Sequence, residues 1–178
     1  VWHAAAGGVG LIACQWAKAL GLRVIATAGG SEKCALALKA GAEVAIDYRG
    51  EDFVARVKQI APRGVKVVYD SVGKDTVPKS LECLAHFGLL VSFGNASGAP
   101  APLDILALSR GGSLYVTRPT LGHYTHAYLD EMAKDLFAVV TSGKVQVEIN
   151  QRWPLAEAAA AHRALESKQT TGATILTV

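Results

Sequence analysis

Residues 5–10 read Ala-Ala-Gly-Gly-Val-Gly, between a short apolar run and a stretch patterned as a helix. With Ala5 standing at the first position, they match the G-x-G-x-x-G spacing of a tight strand-to-helix turn. Each position has a physical task. Ala5 makes the turn, Gly7 leaves the backbone bare for a close approach, and Gly10 lets the helix pack against the strand. The helix start offers unpaired N–H groups and a partial positive charge, which suits the pyrophosphate of a dinucleotide. Glycine turns also serve packing alone. Here the strand before and the helix after favour the dinucleotide.

The next stretch separates two kinds of dinucleotide. A site for an unphosphorylated ribose carries a carboxylate where the second strand ends. In "IATAGGSEK" (25–33) that place is taken by Ala28, Gly29 and Gly30, and the first acid, Glu32, falls in the following helix. Lys33 sits in the first helical turn, where a cation mildly opposes the helix dipole. A bound 2′-phosphate accounts for it; a solvated surface lysine is the alternative. Tyr48, in "IDYRG", adds a hydroxyl from the third strand. NADP is favoured over NAD.

The remaining reactive groups read more plainly. Asp47 and Asp70 end strands, where acids cap the following turn. His123 and His126 are spaced i, i+3 but lack a third ligand, and His3, His86 and His162 read as structural. Cys14, Cys34 and Cys83 form no C-x-x-C pair and read as buried apolar residues. We assign no catalytic acid or base and no metal.

These groups need a scaffold, and the chain alternates strands with helices. Strands are expected at Val1–Ala4, Arg23–Ala28, Val44–Asp47, Val65–Gly73, Gly88–Gly94 and Ser113–Val116. Helices are expected at Gly8–Leu20, Glu32–Ala40 (capped by Ser31), Glu51–Ala61, Val77–Leu84 and Tyr128–Ser142. The strands are apolar on both faces, which implies an α/β fold: a doubly wound parallel sheet of about six strands with helices on both sides. Residues 145–178 hold a strand-like "VQVEIN", an alanine-rich helix near Leu155–Glu166 and a terminal "ATILTV". They are either an appendage to the sheet or the stub of a second domain. Only Val1–Ala4 precede the glycine turn, so the chain reads as part of something longer.

Composition excludes several classes. The 178 residues are 51% hydrophobic with a net charge of +3, which fits a buried core and no nucleic-acid surface. No run is long and apolar enough for a membrane span, and the unpaired cysteines fit a cytoplasmic setting.

Taken together, "HAAAGGVGLIACQWAKALG", "GSEK", "IDYRGEDF", "YDSVGKDT", "SFGNASG" and "SLYVTRPTL" resemble the NADPH:quinone oxidoreductases, the zeta-crystallin-like, zinc-free branch of the medium-chain dehydrogenase/reductases. The resemblance implies a Rossmann domain over residues 1–144. It implies that 145–178 contribute to a GroES-like catalytic domain that is mostly absent. It places Gly7, Gly8, Val9 and Gly10 at the pyrophosphate, and Gly29, Lys33, Tyr48 and Lys168 at the 2′-phosphate. Ser71 and Val72 would line the adenosine and nicotinamide ribose path; Phe93, Gly94, Asn95 and Ser97 would lie beside the nicotinamide and its ribose. The strand at Ser113–Thr117 would pair with its copy in a homodimer, the alternative being an ordinary edge strand.

The implied activity is hydride transfer from NADPH to a quinone or activated carbonyl, with this chain alone inactive. The alternatives are an enoyl or alkenal reductase of the same superfamily, or a non-catalytic NADP-binding protein of crystallin or sensor type. A short-chain dehydrogenase is disfavoured because no tyrosine has a lysine four residues later. A methyltransferase is disfavoured by His3 and alanines where its acid precedes the glycine turn.

Overall fold

A computed structural model describes residues Val1–Val178. The centre of the main sheet is the segment before the glycine turn. Trp2 pairs in parallel with Ala26 on one side and Tyr69 on the other. Its N–H donates to Ile25 O (2.9 Å), while the His3 N–H donates to Tyr69 O (3.1 Å). Outward on one side lie β1 (Ile25–Ala28) and β2 (Val44–Asp47); on the other lie β3 (Val65–Asp70), β4 (Leu84–Ser92) and β5 (Tyr115–Thr117). Every pairing is parallel, and the order β2, β1, residues 1–5, β3, β4, β5 is the doubly wound arrangement.

Alternation along the strands supplies two cores. Ile25, Ile46, Val68 and Leu90 face α3 (Phe53–Ile60) and α4 (Val77–Glu82), packing against Phe53, Val54, Val57 and Val77. Ala26, one residue along β1, faces the opposite way and packs with Ala5, Cys14, Ala37 and Ala42. Those come from the glycine turn, α1 (Gly8–Ala19), α2 (Ser31–Lys39) and the turn after α2. Small side chains on that face let helices sit close to the strands.

Several boundaries differ from expectation, each with a local cause. The cap of α2 is Gly30, not Ser31, whose side chain makes no capping bond. Gly30 has φ +103°, open only to glycine at low cost, and its N–H donates to Asp47 Oδ1 at 2.8 Å. Strand β3 ends at Asp70 because that carboxylate accepts from the Val72 and Gly73 amides and folds the chain into a turn. Strand β4 begins at Leu84, with a register shift against β3 and Phe87 at φ +57°. A short helix, α5 (Ile105–Arg110), is capped by Asp104, which accepts from Leu106 N at 2.9 Å. Helix α6 spans His126–Thr141.

In the last part, only Ile149 and Asn150 of "VQVEIN" belong to a strand. Val145 is buried, Gln146 exchanges hydrogen bonds with Gln15, and β6 begins at Ile149 and runs to Pro154. It pairs in parallel with β7 (Ala173–Thr177) across α7 (Ala158–Glu166), forming a separate two-stranded βαβ unit. No helix is long and apolar enough to cross a membrane.

Candidate functional site

The glycine turn is tight. Ala4 takes a left-handed conformation (φ +53°), and the Gly7 N–H donates to Ala4 O at 3.1 Å. A Cβ on Gly10 would stand 2.5 Å from Ala4 O and 2.6 Å from Ala5 Cα, so only glycine lets α1 approach. Gly7 is the N-cap of α1 and has no side chain to satisfy the first helical N–H groups. They remain available to an anion.

A cleft of about 390 Å³ opens beside this turn. Gly7, Gly29, Lys33, Tyr48, Val72 and Lys168 all line it, so six predicted positions from five parts of the chain converge. Gly8 is outside the lining, where a Cβ on it would stand 3.2 Å from Gly172 O, and Val9 is exposed on α1. Ser71, Phe93, Gly94, Asn95 and Ser97 gather at the ends of β3 and β4, next to the lining residues Val72 and Ala96. They brace one another more than they face the cleft. A Cβ on Gly94 would stand 2.5 Å from Ser71 O, and the Ser97 hydroxyl donates to Val72 O and accepts from the Asp75 amide.

One end of the cleft is cationic. Burial, together with the charges of Arg49 and Lys168, holds Lys33 below the usual lysine range. Its ammonium donates to the main-chain oxygen of Lys168. The Asp47 carboxylate at the end of β2 is occupied by the Gly30 and Arg49 amides, which hold it below the usual aspartate range. Lys168 sits on a strap between α7 and β7, and the Gly172 N–H at its end donates to Ala6 O at 2.9 Å.

The cleft floor holds a network no local motif announces. His3 is 1% exposed, with Nδ1 2.8 Å from Thr27 Oγ1 and Nε2 2.9 Å from Ser80 Oγ. The Ser80 hydroxyl donates to Asp70 Oδ2, and Thr76 donates to Oδ1. Since Ser80 gives its proton to Asp70, its oxygen accepts from His3 Nε2–H, and Nδ1 accepts from Thr27. Burial, the largest cause, pushes the His3 pKa down to about 4 despite Asp70. His3, expected to be structural, thus both braces the floor and faces the cleft.

Comparison with known proteins gives this geometry a context. A zinc-binding dehydrogenase family model matches residues 8–136. The chain is 54% identical to a quinone oxidoreductase of Pseudomonas aeruginosa, covering 99% of this chain and 55% of the relative. A 2-haloacrylate reductase of Burkholderia is 43% identical over 98% of this chain and 54% of the relative. The crystal structure of Escherichia coli quinone oxidoreductase complexed with NADPH superposes with a TM-score of 0.95 at 51% identity, covering 99% of this chain and 56% of that one. The chain spans about half the length of the curated relatives it matches. The zinc in the family's description finds no fit in these residues: no three His, Cys, Asp or Glu side chains group as metal ligands. The glycine turn, the doubly wound sheet and the match over residues 8–136 lead to one conclusion: the chain belongs to the zinc-binding dehydrogenase family.

Proposed function

We propose that this chain is the NADPH-binding part of a quinone oxidoreductase. One observation carries the reading. Where β1 ends, two glycines and the Lys33–Lys168 pair stand in place of a ribose-binding carboxylate, at the rim of a cleft that begins at a glycine turn. The NADPH complex of the E. coli relative supports it.

In this reading the open amides of Gly8, Val9 and Gly10 receive the pyrophosphate beside the bare Gly7, whose own amide is held by Ala4 O, with Gly10 also fixing the helix in place. Lys33, Tyr48 and Lys168 receive the 2′-phosphate beside the bare Cα of Gly29. Ser71 and Val72 guide the ribose path, while Phe93, Gly94, Asn95 and Ser97 form the wall beside the nicotinamide. When bound, NADPH supplies hydride to a quinone or activated carbonyl. No proton relay is asked of His3, whose ring nitrogens are both engaged. Protonation of the reduced product falls to solvent.

Residues 145–178 would serve a catalytic domain supplied by the rest of the protein. The exposed edge strand β5 would pair with its copy in a homodimer; Tyr115 is 59% exposed. The buried, unpaired Cys14, Cys34 and Cys83 suit a cytoplasmic setting. The 2-haloacrylate reductase relative supports a second reading, reduction of an activated alkene.

The test is titration of the intact protein with NADPH, then addition of 1,4-benzoquinone or 2-chloroacrylate. NADPH oxidation by quinone is the expected result, and oxidation only by the acrylate selects the second reading. Tight NADPH binding without oxidation by either would make the protein a sensor. The 178-residue chain alone should bind NADPH and not turn over quinone.

A further inference from the structure

Arg49 stands at the cationic end of the cleft, although nothing in the glycine turn or the lysines points to it. Its position follows from the corner formed by Gly29 and Gly30. A Cβ on Gly29 would stand 2.6 Å from Tyr48 Oη and 3.1 Å from Arg49 Nε; one on Gly30 would stand 3.8 Å from Arg49 Nη1. A side chain on Gly29 would crowd the guanidinium, whereas one on Gly30 would only touch it, so it is the bare Gly29 that lets Arg49 lie over this corner. Asp47 holds the two loops in register, since one oxygen accepts from both Gly30 N (2.8 Å) and Arg49 N (3.0 Å).

Charge completes the case. Arg49, Lys33 and Lys168 appear in none of the six ion pairs of the chain. The rim acids nearest in sequence have other partners: Glu51 lies 3.9 Å from Arg56 and Asp52 lies 3.9 Å from Lys79. Lys33, Arg49 and Lys168 repel one another unless an anion arrives, because Asp47, the carboxylate whose charge reaches Arg49, is already committed to the Gly30 and Arg49 amides. A guanidinium, with its fixed fork of donors, is the group best shaped to grip a phosphate from one side.

We infer that Arg49 is a specificity-determining residue that grips a ribose 2′-phosphate from the β2 side of the cleft, with Asp47 as its positioning residue. The inference rests on the cofactor reading above and adds a ligand to it. It also gives Gly29 a second purpose, as the gap through which Tyr48 and Arg49 reach the phosphate.

The experiment uses calorimetry on the intact protein with two probes, 2′,5′-ADP and 5′-AMP. Unmutated protein should prefer 2′,5′-ADP. Arg49→Ala should weaken 2′,5′-ADP about tenfold, as loss of a charged hydrogen bond does, and leave 5′-AMP within twofold. Arg49→Lys should fall between, keeping charge without the fork. An unchanged ratio of the two affinities in Arg49→Ala overturns the role of Arg49 while leaving the cofactor reading intact. An absence of preference in the unmutated protein overturns both.

Discussion

The ammonium of Lys33 donates to the main-chain oxygen of Lys168 at 2.5 Å, across 135 positions of sequence. Lys168 accepts that bond from a left-handed conformation with φ +60°, uncommon for a residue with a side chain. The first turn of α2 and the strap before β7 thereby close one end of the cleft together.

That closure predicts cofactor choice. Lys33→Ala should weaken NADPH binding about 10- to 100-fold and NADH by less than about threefold, the effect of removing one charged donor from one phosphate. Fluorescence titration with each cofactor reads it. Equal weakening of both would remove the 2′-phosphate from this end.

Gly10→Ala sets two effects against each other. Alanine gains about 1 kcal/mol of helix propensity, but its Cβ would meet main-chain atoms at 2.5–2.6 Å, which must move. Overpacking of this kind costs about 1–3 kcal/mol, and here the obstacle is backbone. Net destabilisation and weaker NADPH binding are expected, read by urea unfolding and by titration.

His3 predicts how stability depends on pH. Its folded pKa, about 4, lies below its ordinary value of 6.5, so the unfolded chain binds the proton more readily. Its contribution is full above pH 6.5 and is lost as pH falls toward 4, on the order of 3 kcal/mol in all. The other histidines are exposed. Urea unfolding at pH 7 and pH 5 should show the loss, and His3→Gln should flatten it. An equal slope in that variant would assign the effect elsewhere.

Gly172→Ala tests the strap. At φ +57°, with a Cβ 2.5 Å from Glu148 O, alanine would displace the amide that donates to Ala6 O. NADPH affinity should fall several-fold, an effect set by a strained backbone of about 1–2 kcal/mol. Unchanged affinity would separate the strap from the site.

Much of this was legible in the sequence because its signals are local. The glycine turn, the helical face of Phe53, Val54 and Val57, and the acids that end β2 and β3 each declare themselves within a few residues. Helix α5 was not legible: it is six residues long and buries none of them. The start of β6 was misplaced because Val145 and Val147 alternate like a strand, while Val145 is a buried plug and Val147 is 46% exposed. The network of His3, Thr27, Asp70 and Ser80 joins four elements, so no spacing could reveal it. Arg49 has no signal of its own beside Tyr48, because sequence does not say which neighbour turns toward the glycine corner.

The parallel bridge between Gly7 and Gly172 has a kinetic consequence. Those residues meet only after the intervening chain has been placed, so loop-closure entropy delays their contact until late in folding. The phosphate end of the cleft is then expected to form after the folding transition state, which folding kinetics of Gly172→Ala would read. A bound dinucleotide would leave the folding rate almost untouched and act as a brake on unfolding.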